Sequence, residues 1–231
     1  GQRDLDRGAG RCRMSRNAYV DLCVHLQSLR RIAEEAKSPL VPALGVAGSV
    51  YTHQVANVLR VLTDIRVRHL LADEVGLGKT IQALMILNAL RRQRRDLRAL
   101  VVVPDTALMV QWRDELMTRA HTTPFETHTP GEGQYVRLAW EEQLRKKGQD
   151  GEPLFSLGDI DPDRYQVLIV DEMHRLRGDV KDRIVRVAAA FEHVLILTAT
   201  PSFQRPDRQA QLFAMLEPER TARARWDVSQ I

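Results

Sequence analysis

At 231 residues, with 44% hydrophobic and 28% charged residues, the chain has the make-up of a folded domain with one substantial core. No apolar run approaches the length of a membrane span, and the polar, basic start shows no signal-peptide pattern. Its two cysteines, Cys12 and Cys23, lack the spacing of a zinc site or a disulfide framework, so a reducing cytoplasm is the expected location. A net charge of +4 leans toward a polyanionic partner, and 5% aromatic content leaves little for base stacking, so contact with backbone phosphates is expected over base readout.

Residues 1–17 are rich in Arg, Gly and Asp and read as loosely attached. Residues 18–37 place Leu22, Leu26, Leu29 and Ala33 at helical spacing, an accessory packing helix, and residues 39–49 read as a connector. The expected organisation is therefore an accessory segment over 1–48 and a main domain over 49–231. The main domain begins with a helix over 51–62, whose apolar face is Val55, Val58, Leu59 and Leu62. Near its start, Gln54 is either an ordinary first-turn residue or an amide able to offer a donor and an acceptor to an adenine edge.

The stretch LLADEVGLGKT at 70–80 has the end of a buried strand, a turn through Gly76 and Gly78, then Lys79 and Thr80 leading into a helix over 81–90. A phosphate-binding loop needs this order. Glycines let backbone N–H groups face an anion, the lysine adds a mobile charge, and the threonine hydroxyl can ligate Mg²⁺. Asp73 stands where the general pattern has its first glycine, so this is a variant loop. Arg91, Arg92, Arg94, Arg95 and Arg98 follow, read as a solvated helix end or as a binding patch.

An apolar, valine-rich run over 97–103 ends at Pro104 as a buried strand, and 107–119 is helical with Leu108, Val110, Trp112 and Leu116 inward. The pattern then weakens. Residues 135–147 read as helix within a turn-rich stretch from 121 to 163. Two further strands, 167–170 and 194–197, run directly into polar clusters, Asp171-Glu172-Met173-His174 and Thr198-Ala199-Thr200-Pro201, and 208–216 is helical. Alternating strands and helices imply a mostly parallel α/β sheet with helices on both faces, and such sheets bind ligands at the carboxyl ends of their strands.

Adjacent carboxylates at a strand end are costly unless that edge needs negative charge. Asp171 can hold a Mg²⁺ that accompanies a triphosphate while Glu172 orients or deprotonates water. The bland reading is a solvated acid pair at a helix start. His174 reads either as a structural histidine or as a relay sensing the γ-phosphate, and Thr198 and Thr200 either satisfy local backbone or link this edge to a neighbouring lobe.

These pieces, YTHQ at 51–54, ADEVGLGKT at 72–80, LVVVPDTALMVQWRDEL at 100–116, DEMH at 171–174 and LTATP at 197–201, resemble the first RecA-like lobe of Snf2-family helicase-like ATPases of superfamily 2. DEVGLGKT with LTATP is similar to the bacterial, RNA-polymerase-associated branch. The resemblance implies a P-loop NTPase lobe in an ATP hydrolase that translocates on double-stranded DNA. Gln54 would read adenine, and Glu74, Val75, Gly76, Leu77, Gly78, Lys79 and Thr80 would form the nucleotide cradle. Thr80 and Asp171 would serve Mg²⁺, Glu172 with Lys79 would carry hydrolysis, and His174, Thr198 and Thr200 would couple it to movement. The VPDTALMVQW segment would line the nucleic-acid path. Met173 stands where the family's DEAH form has Ala. Nothing after Leu216 reads as the second lobe whose arginines complete such a site, so this lobe alone is expected to bind ATP weakly and turn it over very slowly. A strand-separating helicase, or a nucleotide-gated module binding DNA or protein, remain alternatives to a translocase.

Overall fold

Apolar runs rich in valine and leucine become the three central strands of one parallel sheet because both of their faces are covered. The structure, a computed structural model, describes residues 46–47, 50–74, 76–126, 130–145, 160–199 and 206–220. These all fall in the compact unit Val41–Ile231. The expected accessory helix over 18–37 lies outside them, as do Val75 and Thr200.

In chain order the elements are α1 (Thr52–Val61), β1 (Arg68–Leu71), α2 (Lys79–Gln93), β2 (Ala99–Val103), α3 (Thr106–Thr118), β3 (Val136–Trp140), α4 (Glu141–Arg145), β4 (Val167–Asp171), a 3₁₀ turn (Met173–Arg175), α5 (Gly178–Ala188), β5 (His193–Leu197) and α6 (Pro206–Leu216). The sheet order is β1-β5-β4-β2-β3 and every pairing is parallel. One row of register decides the rest. Leu71 of β1 lies opposite Leu197 of β5, and Leu197 lies opposite Asp171 of β4.

Alternate residues of each strand enter opposite cores. Val101, Ile169 and Leu195 pack with α1, α2 and α3, whereas Leu100, Val102, Leu168, Val170 and Ile196 pack with α4, α5 and α6. Helices therefore cover both faces. α2 is buried almost all round, from Gln82 to Leu87, and packs against α1 and α3 as well as the sheet.

Two expectations need correction. The segment expected to be helical over 135–147 is first a strand, β3, which pairs with β2 from Val136 to Trp140, and only then a short helix. The polar letter that breaks its apolar run is Arg137, which is fully buried and donates to the Tyr165 hydroxyl at 3.2 Å. In α3 the inward stripe is Met109, Trp112 and Leu116, at helical spacing, and Val110 is turned outward, 45% exposed.

The basic run after α2 is occupied by local contacts. Arg91 donates to the Leu97 carbonyl at 2.9 Å and lies over the Tyr135 ring, and Arg94 pairs with Asp96 and Glu192. These contacts lie just before β2, at the end of the sheet remote from the glycine turn after β1. Arg68, at the start of β1, fastens the same end by donating to the carbonyls of Ala188, Ala189, Phe191 and Met215.

Nearby, His193 is buried and its Nδ1 accepts the Val67 N–H at 3.0 Å. Burial, reinforced by Arg68, Arg94 and Arg66 and opposed by Glu192, holds its pKa below the usual histidine value. The unfolded chain binds that proton more readily, so this contribution to stability is full above the unfolded histidine pKa and lost as pH falls toward the folded one. Urea denaturation at pH 7.5 and pH 5.5 is expected to show lower stability at the acid end, and His193→Gln is expected to flatten that part of the difference.

Candidate functional site

The turn after β1 is built around two left-handed glycines. Gly76 has φ +86° and Gly78 has φ +76°, conformations that cost a residue with a Cβ about 1–2 kcal/mol. Gly78 is also the N-cap of α2, which begins at Lys79, two residues earlier than the apolar pattern suggests. Lys79 and Thr80 therefore sit in the first helical turn, where backbone N–H groups have no intrahelical acceptor and the helix presents its positive end.

Three side chains hold this turn in shape. Gln54 is 1% exposed; its Oε1 accepts the Tyr51 N–H at 3.0 Å and its Nε2 donates to the Leu77 carbonyl at 2.8 Å. As placed, the amide joins its own helix start to the loop. Asp73, where the general pattern has glycine, accepts from Gln82 Nε2 at 2.6 Å, and Gln82 Oε1 in turn accepts from Asn57. Its carboxylate thus pins the entrance of the loop to α2 and α1. Lys79 Nζ reaches back to the carbonyls of Asp73, at 2.8 Å, and Glu74, at 3.1 Å.

The acid pair leaves the sheet at the same edge. Asp171, 5% exposed, is the last residue of β4, and its Oδ2 accepts the indole N–H of Trp112 at 2.8 Å. Burial pushes its carboxyl above the usual range and the Glu172 charge adds to this, whereas the Trp112 hydrogen bond and the Lys79 charge act against it. The pairing of Leu71 with Leu197, and of Leu197 with Asp171, sets the glycine loop and the acids at the same edge of the sheet.

Glu172 follows in a left-handed conformation, φ 45° and ψ 48°, unusual for a residue with a side chain. Its N–H donates to Leu197 O at 2.8 Å, so the bend is fastened to β5. The carboxylate accepts from the Thr198 hydroxyl at 3.3 Å and lies 3.2 Å from His174 Nδ1, which is itself 3.2 Å from the Thr198 oxygen. Thr198 enters this cluster because its N–H donates to Leu71 O, at the head of the phosphate loop.

Chemically, the edge offers free helix-start N–H groups and an ammonium for phosphate. It also offers a hydroxyl and a buried carboxylate for a hard cation, and a second carboxylate for water. Oxygen donors of this kind suit Mg²⁺, which keeps waters and phosphate oxygens in its shell and needs few protein ligands. Among the described residues no cluster of three or more His, Cys, Asp or Glu could bind a metal without such a ligand.

Sequence patterns miss Trp112, Gln82 and Asn57 as parts of this site. A buried indole usually finds an acceptor for its N–H, which is the one signal that could have led from Trp112 to the acids. Arg175 is also missed. It pairs with Asp105, the N-cap of α3, at 2.5 Å, while the Arg177 N–H and guanidinium reach Glu141. A cleft of about 380 Å³ opens between these pairs, floored by Pro104, Thr106 and Trp140.

A parallel sheet between two helical layers, with a glycine loop and an acid pair at one edge, defines a RecA-like lobe of the helicase-like ATPase class. Residues 48–203 match the family model described as "Type III restriction enzyme, res subunit", and the chain belongs to that family. Within this class it is a Snf2-type lobe near the bacterial RNA-polymerase-associated proteins. It is 35% identical over 81% of its length to RNA polymerase-associated protein RapA of Photobacterium profundum, and 32% identical over 84% to that of Vibrio campbellii. It spans about a fifth of those relatives, 20% and 21% of their lengths. The fold also matches the "Sulfolobus solfataricus SWI2/SNF2 ATPase core in complex with dsDNA" with a TM-score of 0.57 at 18% identity, over 75% of this chain and 37% of that one.

Two outcomes follow from the geometry. A Cβ on Gly76 would meet nothing within 4 Å, whereas one on Gly78 would fall 2.3 Å from Gln54 Nε2. Gly76→Ala should therefore lower unfolding free energy by about 1 kcal/mol from backbone strain alone. Gly78→Ala should cost more, and a double-mutant cycle with Gln54→Ala should show coupling between those two sites and none between Gln54 and Gly76. Separately, replacing the buried charge by Asp171→Asn, which keeps an acceptor for Trp112, should raise the melting temperature at pH 7.5 by about 2–4 °C. The sign follows from the raised carboxyl pKa, since stability carried by a protonated, buried acid is lost as pH rises through its folded pKa.

Proposed function

We propose that this chain is an ATP-binding and ATP-hydrolysing lobe, residues 49–231, of a translocase that moves along double-stranded DNA. The observation that carries the reading is the shared edge. The loop after β1, the acids at the end of β4 and the threonine after β5 leave the sheet from one row of paired residues.

In this reading the N–H groups around Gly76, Leu77 and Gly78, with those opening α2, grip the β- and γ-phosphates, and Glu74 and Val75 are the remaining residues of the nucleotide cradle. Lys79 leaves the Asp73 and Glu74 carbonyls for the phosphates, a short swing between acceptors of one loop. Thr80 and Asp171 hold Mg²⁺. That ion, when bound, would supply positive charge to offset the charge on the phosphate oxygens. Glu172 accepts a proton from the water that attacks the γ-phosphorus, giving ADP and phosphate. Thr198 and His174 fix one oxygen of Glu172, and these two residues with Thr200 couple hydrolysis to movement. Gln54 reads the adenine edge and also holds the Leu77 carbonyl.

The partner reading follows from the opposite flank of the same edge. Arg175 and Arg177 stand at a cleft beside the first turn of α3, each paired to an acid that a backbone phosphate can replace. A second RecA-like lobe, contributing arginine to the γ-phosphate, is the partner that family resemblance implies, and an RNA-polymerase-like protein complex fits the relatives' names.

In the complete polypeptide that carries this chain, Glu172→Gln is expected to cut DNA-stimulated ATP hydrolysis by about 10²–10⁴-fold with ATP still bound. Lys79→Ala is expected to remove both binding and turnover. Phosphate release with and without duplex DNA, beside nucleotide affinity, checks this; hydrolysis surviving both changes would sink the assignment. Directional movement is read separately by displacement of a triplex-forming strand from duplex DNA, which a nucleotide-gated binding module would not achieve.

A further inference from the structure

We infer that Trp112 is a positioning residue for the divalent cation: its indole N–H fixes one oxygen of Asp171 so that the other faces the metal. This rests on the metal role of Asp171 proposed above and goes beyond it. The indole N–H is a donor only and has no other chemistry to offer. It is fully buried in the core beneath α3, and its 2.8 Å bond ends on Oδ2 of a carboxylate that is itself 5% exposed.

A large, enclosed ring cannot swing with its partner, so the bond sets the torsion of the carboxylate as well as satisfying one of its oxygens. Oxygen ligands of metals are commonly held in this way by a hydrogen bond from behind, and losing such a partner typically weakens metal affinity by about 10–100-fold. The same helix grips the acid turn a second time. Asp105, which caps α3 by accepting the Leu108 N–H at 2.9 Å, also holds Arg175, four residues beyond Asp171. α3 therefore contacts the segment on both sides of Glu172, and the orientation of Asp171 is tied to a helix whose first turn borders the proposed nucleic-acid cleft.

The test uses the complete polypeptide. Trp112→Phe keeps an aromatic ring and removes the donor, and Trp112→His restores a ring N–H. ADP affinity is measured in EDTA and across a Mg²⁺ titration. In Trp112→Phe the Mg²⁺ concentration that half-saturates the metal-dependent gain in ADP affinity should rise about tenfold, with affinity in EDTA unchanged, and Trp112→His should recover much of the loss. An unshifted Mg²⁺ requirement, or affinity in EDTA falling in parallel, would overturn the inference, as would equal shifts in the two variants, which would assign the effect to packing. With 5-fluorotryptophan in the unmutated protein, Mg²⁺ added to the ADP complex should move the Trp112 fluorine resonance, and an unmoved resonance would overturn it even if neither variant folds. If the unmutated protein shows no Mg²⁺-dependent nucleotide binding at all, the broader functional reading has failed with it; normal Mg²⁺-dependent hydrolysis with an unaltered requirement in Trp112→Phe would remove the inference alone.

Discussion

A single row of backbone pairing sets the chemistry of this lobe. Because Leu71, Leu197 and Asp171 stand side by side across three parallel strands, the chain leaves all three at one level. The next residues, the glycine turn, Thr198 and Glu172, are then neighbours without any long loop to bring them together. Two hydrogen bonds close the row, from Thr198 N–H to Leu71 O and from Glu172 N–H to Leu197 O. A slip of one residue along β5 would reverse every inward-facing side chain between the two cores, so the burial of Val194, Leu195, Ile196 and Leu197 enforces the register that the site requires. Packing energy here acts as positional precision.

The strands that carry this row were legible because they are the simplest pattern a sequence can show: short, continuous, valine- and leucine-rich runs ending in polar residues. β4 and β5 are such runs, and the glycine turn after β1 is legible for a different reason, since few other structures need GKT between a strand and a helix. β3 escapes the same test because Arg137 interrupts it. A guanidinium at the centre of a buried strand reads as surface until its partner, Tyr165, is known, and that residue lies far along the chain. The same limit applies to Trp112, Gln82 and Asn57. Each acts through a contact whose other half is distant in sequence, at Asp171 or around Asp73, and residue spacing carries no record of it.

Gln54 illustrates how one buried amide can shape a loop. From sequence, its amide is a natural reader of adenine. In the fold it is buried between Tyr51 and Leu77, and its nitrogen occupies the space a side chain at position 78 would need. Two demands on Gly78 then coincide, a left-handed backbone and the absence of a Cβ, whereas Gly76 meets only the first. The loop is shaped as much by what Gln54 excludes as by what the glycines permit.

The cost of this design is concentrated at Asp171. A carboxylate that is almost fully enclosed loses solvation, and the adjacent Glu172 charge makes matters worse; one indole donor and a distant ammonium offset only part of this. The left-handed turn at Glu172 adds backbone strain at the same point. A core residue selected for stability alone would be neither charged nor bent there. Strain and buried charge on adjacent residues, held by β5 on one side and by α3 on the other, fit a site whose missing stabilisation comes from a cation and a phosphate chain. That balance also explains why the supporting contacts are so rigid: with little free energy to spare at Asp171, orientation must come from a buried ring and a fixed strand register.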